Sequence, residues 1–225
     1  KKQTQFIASA SHELRTPLAV VRSGLESVEK CSNEEERNHF LHLMSEETVH
    51  MKRLIDDMLL LANSDADTLT IKPEACQPDL LLLDTYEKFE TLAKKNGLHL
   101  ILTLPEEILP DCFCDIHRTE QIFSIIVDNA LCYTPSGGKV TLSCHAENEM
   151  LCFLFEDTGC GISEEKKSHI FERFYRADDA HTDREHFGLG LCIAKELTEK
   201  QNGNIQVVDA PISGSCFMVQ LPCAL

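Results

Sequence analysis

The chain has 225 residues, 43% of them hydrophobic and 26% charged, with a net charge of −16. That length suits one large domain or two modest ones with a real core. The acidic balance excludes a surface built for nucleic acid or anionic lipid, whose phosphates would repel it. Eleven cysteines, odd in number and scattered, several of them in apolar runs such as MLCFLF, read as buried free thiols of a reducing compartment. No apolar run approaches the roughly 18 residues of a membrane span. No signal peptide is visible, so the expectation is a cytoplasmic piece.

Residues 1–30 read as one helix. Ile7, Ser11, Leu14, Leu18, Val21, Leu25 and Val28 recur at heptad spacing. His12 falls one step off this seam, toward solvent, with Thr16 one turn further along the same face. Pro17 denies the carbonyl of Glu13 its helical donor and is expected to loosen the helix beside the histidine. CSNEEER breaks the pattern, with Ser32 or Asn33 placed to cap a second helix whose first turn is acidic. That helix repeats the seam through Leu41, Met44, Thr48, Met51, Ile55, Met58 and Ala62. Two seamed helices on a short loop make a hairpin. Pairing into a dimeric four-helix bundle covers the stripe a lone hairpin leaves wet.

The heptad ends near residue 66, which divides the chain into 1–66 and 67–225. Beyond it the pattern is mixed α/β. A helix over PDLLLLDTYEKFETLAKKNG is closed by Gly97, and LHLILTLP alternates as a half-buried strand. DIHRTEQIFSIIVDNALCYTP is a helix with Ile122, Phe123, Ile126, Val127 and Ala130 toward the core. The strands KVTLSCHAE and MLCFLFED follow, the second apolar throughout and so central. GLGLCIAKELTEKQNG is the last helix, and NIQVVDA and GSCFMVQLP close the sheet.

Four short segments of this second part carry candidate chemistry. In VDNALCYTP, Asn129 and Tyr133 lie one turn apart, so an amide oxygen suited to Mg²⁺ and a ring suited to stacking can line one pocket. In FEDTGCGIS, Asp157 ends the apolar strand, and Gly159 and Gly161 permit a tight turn with close backbone approach. A carboxylate fixed there can accept from an exocyclic amine. In IFERFYRADDAHTDREHFGLGLCIAKEL, a long polar loop suited to a lid precedes Gly188 and Gly190, which open a helix whose amides suit phosphate. ISGSCF is a glycine turn, weak alone. CFCDIH offers Cys112, Cys114 and His117, but C-x-C-x-x-H supplies three ligands and matches no strong zinc signature. A strand with both cysteines on one face, before an exposed histidine at a helix start, is the preferred reading.

In this order and spacing, with SHELRTPL ahead of them, these segments resemble the catalytic core of a two-component sensor histidine kinase over nearly all 225 residues. SHELRTPL looks like the family's H box, VDNALCYTP its N box, DTGCGI its G1 box, FERFYR its F box and GLGL its G2 box. The resemblance implies an all-α dimerisation and phosphotransfer hairpin over 1–66, followed over 67–225 by an ATP-binding α/β sandwich of the Bergerat type, a mixed sheet with helices on one face. By matching position, His12 would accept the phosphoryl group, beside Glu13 as its acid/base neighbour. Thr16 would orient water in regulator dephosphorylation. Asn129 would hold Mg²⁺, Tyr133 would lie near the adenine, and Asp157 would bind the adenine amine in the turn of Gly159 and Gly161. Arg176 would approach the terminal phosphate, and Gly188, Leu189 and Gly190 would line the phosphate path.

The implied cofactors are ATP and Mg²⁺. The implied partners are a second copy of the chain, through the hairpin, and the receiver domain of a separate response regulator. No nucleic acid is expected, and membrane attachment only through an upstream segment of a longer, membrane-located protein. The chain departs from the pattern at Ile125, where an asparagine is usual; at Cys132, often lysine; at Glu185 and His186, usually glycines; and at Asn202, commonly glycine. The substitutions at Cys132, Glu185 and His186 leave open a catalytically weak core that acts as scaffold or phosphatase.

Overall fold

A computed structural model describes residues 2–176, 187–211 and 213–224, without the side chains of 2–5 and 7. The chain divides into two compact units, one built on 2–69 with 187–189 and the other on 70–176 and 190–224.

The first unit is a hairpin of α1 (Lys2–Val28) and α2 (Glu34–Asp65). Asn33 is the N-cap of α2: its side chain accepts from the Glu35 N–H at 2.9 Å, and Glu34, Glu35 and Glu36 place negative charge at the positive end of the helix dipole. α1 runs unbroken through Pro17. The proline is buried, seven residues from buried Ala10 on one side and from Gly24 on the other. Packing therefore holds the helix together where the lost donor was expected to loosen it. A Cβ on Gly24 would come within 2.7 Å of Met44 Cγ, so α2 approaches α1 closely at that point. The heptad residues themselves face outward in several places: Leu18 is 57% exposed, Leu25 54% and Ile55 43%. On α1 the small residues Ala10, Pro17 and Gly24 are buried, and on α2 Met44, Leu54, Leu60 and Leu61, while Leu18, Leu25 and Ile55 of the seam stay in water.

Asp57 lies in α2 with its carboxyl pushed up to about 6, chiefly by burial and then by the neighbouring Asp56 charge, against the opposing pull of Arg53. A carboxyl whose folded value lies above its unfolded one favours the folded state while protonated. It costs nothing below about pH 4, and the cost grows as pH rises through 6. Allowing for solvent screening of a group only partly shielded, Asp57→Asn should stabilise the protein by about 1–2 kcal/mol at pH 7.5 and by close to nothing near pH 4. Urea unfolding at both pH values checks this, and an equal gain at both would contradict it.

The second unit begins with β1 (Glu74–Cys76) and continues through α3 (Pro78–Lys95), β2 (His99–Thr103), β3 (Cys112–Cys114), α4 (Ile116–Tyr133), β4 (Lys139–Glu147), β5 (Met150–Asp157), the single turn α5 (Glu164–Lys167), α6 (Gly190–Glu199), β6 (Asn204–Asp209) and β7 (Ser215–Pro222). Pro at the first turn and lysines in the last suit α3, and Gly97, at φ +70°, closes it. Five strands form a mixed sheet in the order β2-β4-β5-β7-β6, parallel only between β2 and β4. β5, apolar almost throughout, is the central strand, as its composition predicts.

Alternation along the strands builds the core. Val140, Leu142, Cys144, Phe153, Phe155, Val219 and Leu221 are buried, while Thr141, Ser143 and Gln220 are only half-buried. α3, α4 and α6 pack on the inner face. Phe123 of α4 sits 4.8 Å from the ring of Phe153 and 5.0 Å from that of Phe155, in tilted aromatic contacts. All five core positions expected on α4 are buried. A second sheet, not expected from the sequence, pairs β1 with β3 antiparallel. On β3, Cys112 and Cys114 are buried with Phe113 exposed between them, and His117 stands out in solvent on the first turn of α4, as the preferred reading of CFCDIH has it.

Candidate ATP and phosphotransfer site

On α1, His12 and Glu13 are adjacent, with His12 Nδ1 3.8 Å from Glu13 Oε1. The imidazole is 76% exposed, off the buried row and open to an incoming group. Thr16 is exposed one turn along. A nucleophilic nitrogen needs this kind of surface. At 3.8 Å the carboxylate is an ion-pair neighbour of Nδ1 and not a hydrogen-bond partner.

In the second unit the candidate residues gather where α4 ends beside the exit of β5. Asn129, half-buried, donates its amide Nδ2–H to Ile125 O at 2.8 Å, which fixes the amide and reserves its oxygen as an acceptor. Tyr133, the last residue of α4, is 46% exposed and presents its ring. A Cβ on Gly159 would meet Tyr133 O at 2.5 Å, so only glycine lets the β5 turn come this close to the helix end.

Asp157 is buried, and its Oδ1 accepts the Gly159 N–H at 2.7 Å. Burial pushes its carboxyl above the usual range, while hydrogen bonds from the backbone of Gly159 and Ser215 hold it down. Gly214, at φ +91°, closes over it: a Cβ there would lie 2.1 Å from Asp157 O. The weak ISGSCF turn thus packs directly on the candidate carboxylate. Gly214 and Ser215 lie against the candidate carboxylate, and the sequence reading did not select them. Their only signal was a glycine at a strand turn, which hundreds of unrelated turns share. Gly161, at φ +73°, faces Gly214 across 3.4 Å, measured from its notional Cβ to Gly214 O.

The F-box segment is anchored by aromatic contacts. Phe171 meets Phe217 edge-on at 6.5 Å, and Lys195 Nζ lies over the Phe171 ring at 5.8 Å. Phe174 adopts φ +63°, a conformation bulky residues rarely take. Arg176 is exposed at the end of this segment. Gly188 takes φ +70°, Leu189 is buried, and Gly190 opens α6, its notional Cβ 3.1 Å from Ile125 Cγ2. Ile125, where the family pattern has an asparagine, thus packs against the start of α6. Asn202 adopts φ +58° just beyond α6, which explains why glycine is common there and why asparagine is tolerated. The Glu185 and His186 substitutions lie outside the described residues.

A phosphoacceptor-type hairpin and an α/β unit with a glycine-lined carboxylate beside an asparagine helix define a class of kinase. Residues 2–67 match the family of His Kinase A (phospho-acceptor) domains, and residues 114–225 match the histidine kinase-, DNA gyrase B- and HSP90-like ATPases. The chain is 34% identical over 226 residues to the sensor histidine kinase RppB of Synechocystis, covering 99% of this chain and 49% of that protein. Among solved structures it is similar to full-length ShkA in complex with AMPPNP, with TM-score 0.75 and 26% identity over 100% of this chain and 46% of that one. The histidine kinase ThkA, solved with the response regulator TrrA, shares the fold, with TM-score 0.78 and 19% identity over 98% of this chain and 61% of that one. The chain belongs to the two-component sensor histidine kinases, a family of protein-histidine kinases that use ATP. It spans about half or less of the length of the curated relatives it matches. Among the described residues no helix is long and apolar enough to cross a membrane.

Proposed function

We propose that this chain is the catalytic core of an ATP-dependent kinase that phosphorylates its own His12 and passes the phosphoryl group to an aspartate of a separate response regulator. The observation that carries this reading is a solvent-facing imidazole, 3.8 Å from a carboxylate, on the same chain as the asparagine–aspartate–glycine cluster at the end of α4. Residues 1–66 serve as the dimerisation and phosphotransfer domain and 67–225 as the ATP-binding domain.

In the second unit, Asp157 accepts from the adenine amine and Tyr133 lies along the base, with Gly159 and Gly161 letting the turn approach it. Gly188, Leu189 and Gly190 line the phosphates, and Arg176 approaches the terminal one. Mg²⁺, which the Asn129 oxygen suits as a hard neutral ligand, supplies charge neutralisation on the phosphates. Nε2 of His12 attacks the γ-phosphorus in line, an N–P bond forms, and the bond to the departing ADP oxygen breaks. Glu13 holds the proton on Nδ1 before attack and takes it afterwards, which keeps the phosphorylated imidazole neutral. The resulting phosphoramidate is labile enough to transfer to the regulator's carboxylate. Thr16, one turn from His12, orients water when the chain dephosphorylates the regulator.

The exposed heptad residues Leu18, Leu25, Leu41 and Ile55 pair with those of a second copy to complete a four-helix bundle. Thr48, Met51 and Ile55 line a shallow groove on α2 where such a copy would seat. Membrane location and an upstream sensory part belong to the longer protein. The substitutions at Cys132, Glu185 and His186 favour a second reading, a core that binds the regulator and dephosphorylates it without using ATP. Calorimetry with ATP and Mg²⁺ separates the two. Saturable binding, followed by acid-labile label from γ-labelled ATP, supports the kinase, and no binding overturns it.

A further inference from the structure

Three thiols converge in the small sheet that opens the second unit. Cys76 of β1 and Cys112 of β3 are directly opposed in the antiparallel register, and Cys114 lies two residues further along β3 on the same face. The sulfur atoms of Cys76, Cys112 and Cys114 all lie within 4.8 Å of one another, with Cys76 Sγ 3.4 Å from Cys114 Sγ. Cys112 and Cys114 are fully buried, whereas Cys76 is half-exposed and gives the cluster a way in from solvent. Among the described residues no other three sulfurs converge in this way. Cys144, Cys192 and Cys216 are buried in the core as small hydrophobes, the usual state of a free cysteine.

We propose that Cys76, Cys112 and Cys114 form a three-thiolate site for a soft, thiophilic d¹⁰ ion of the Cu(I) class, independent of the nucleotide site. The geometry fits. Metal–sulfur bonds of about 2.3 Å in a trigonal plane put the sulfurs roughly 4 Å apart, within the spread seen here. The donor set selects the ion. All three ligands are soft sulfurs, and the described residues contribute no histidine or carboxylate to the group. Zinc in structural sites takes four ligands. His117, the third ligand a linear reading of CFCDIH would nominate, stands 94% exposed on α4, and Cys76, 36 residues before Cys112, takes its place.

The surroundings suit a held ion. Thr119, fully buried in the first turn of α4, gives its Oγ1–H to Gln201 Oε1 at 3.5 Å. Cys114 directly precedes Asp115, the N-cap of α4, the end of a helix that favours negative charge. Asp115 in turn accepts the Lys72 N–H at 2.9 Å and gives its own N–H to Gln201 Oε1 at 2.7 Å. Binding forms three metal–sulfur bonds and releases the three thiol protons to solvent, with no electron transferred. The bound ion ties β1, the first strand after the hairpin, to the strand that leads into α4.

The test titrates the fully reduced whole chain with Cu(I) under anaerobic conditions against a chromophoric Cu(I) chelator. The expected result is one tight site per chain. Cys76→Ser should weaken that site by more than the roughly 10–100-fold that an outer-shell loss costs. Cys31→Ser, in the hairpin loop, should leave it unchanged. X-ray absorption of the loaded protein should show three sulfur neighbours. Cys76 is only half-buried, and Cys76→Ala, checked for an unchanged unfolding midpoint, gives the same reading should serine perturb the strand. Equal Cu(I) affinity in the wild type and both Cys76 variants, or no tight site at all, overturns the proposal. So does Zn(II) binding more tightly than Cu(I) to the same three residues.

Discussion

His12→Ala is expected to reduce labelling by γ-labelled ATP to background while leaving nucleotide binding intact. The side chain is 76% exposed and lies off the buried row of Ala10, Pro17 and Gly24. Removing it from the surface of a helix therefore changes stability by no more than about 0.5 kcal/mol. Loss of label then reports loss of the nucleophile and not of the fold. ATP affinity, which we assign to Asp157 and its glycines in the other unit, should stay at the wild-type value. Acid-labile label that persists in this variant would place the acceptor elsewhere. A simultaneous loss of ATP binding would show that His12 contributes to nucleotide binding and would contradict the assignment.

Asn129→Ala is the second large effect. The substitution removes the amide oxygen assigned to the cation and the 2.8 Å bond to Ile125 O. Loss of one preorganised group facing developing phosphate charge costs on the order of 100-fold or more in rate. The structural cost is smaller: a back-bond within a helix that packs through Ile122, Phe123, Ile126 and Val127 contributes about 1 kcal/mol. Autophosphorylation measured over time should fall by at least that factor, with the unfolding midpoint nearly unchanged. A variant that labels normally would show that Asn129 only finishes the helix surface. A variant that unfolds would show that its role is packing.

Much of this architecture is legible in the sequence because periodicity follows burial. The apolar face of α4 and the unbroken apolar run of β5 each report which side is covered, and the 3.5-residue repeat of α1 and α2 reports two long helices. The heptad marks the outward seam, however, and only the three-dimensional packing reveals the inner row of Ala10, Pro17 and Gly24. Small residues carry little hydrophobic signal, and Pro17 reads as a loosened point in one helix until its burial is seen. The β1–β3 ladder is invisible for another reason. Three-residue strands, separated by 35 residues between Cys76 and Cys112, are too short to show a period, and their pairing is a long-range fact.

The candidate site divides in the same way. His12, Asn129 and Asp157 stand out because unusual residue types sit at meaningful spacings. Gly214 does not, because its role depends on Asp157 lying 57 positions earlier in the chain, within 2.1 Å of where a side chain would be. Among the departures from the family pattern, Ile125 becomes intelligible once Gly190 is found packed beside it. Cys132, half-buried two residues after Ala130, has no such explanation.

The central claim is that a phosphoryl group leaves ATP for an imidazole on the open face of a helix. Mass-spectrometric mapping of the intact chain after incubation with ATP and Mg²⁺, kept at neutral pH so that phosphoramidates survive, tests it most directly. The account predicts a single labile phosphoryl group on a ring nitrogen of His12. An acid-stable phosphate on Ser11 or Thr16, or a nucleotide-bound chain that carries no phosphoryl group anywhere, would contradict it.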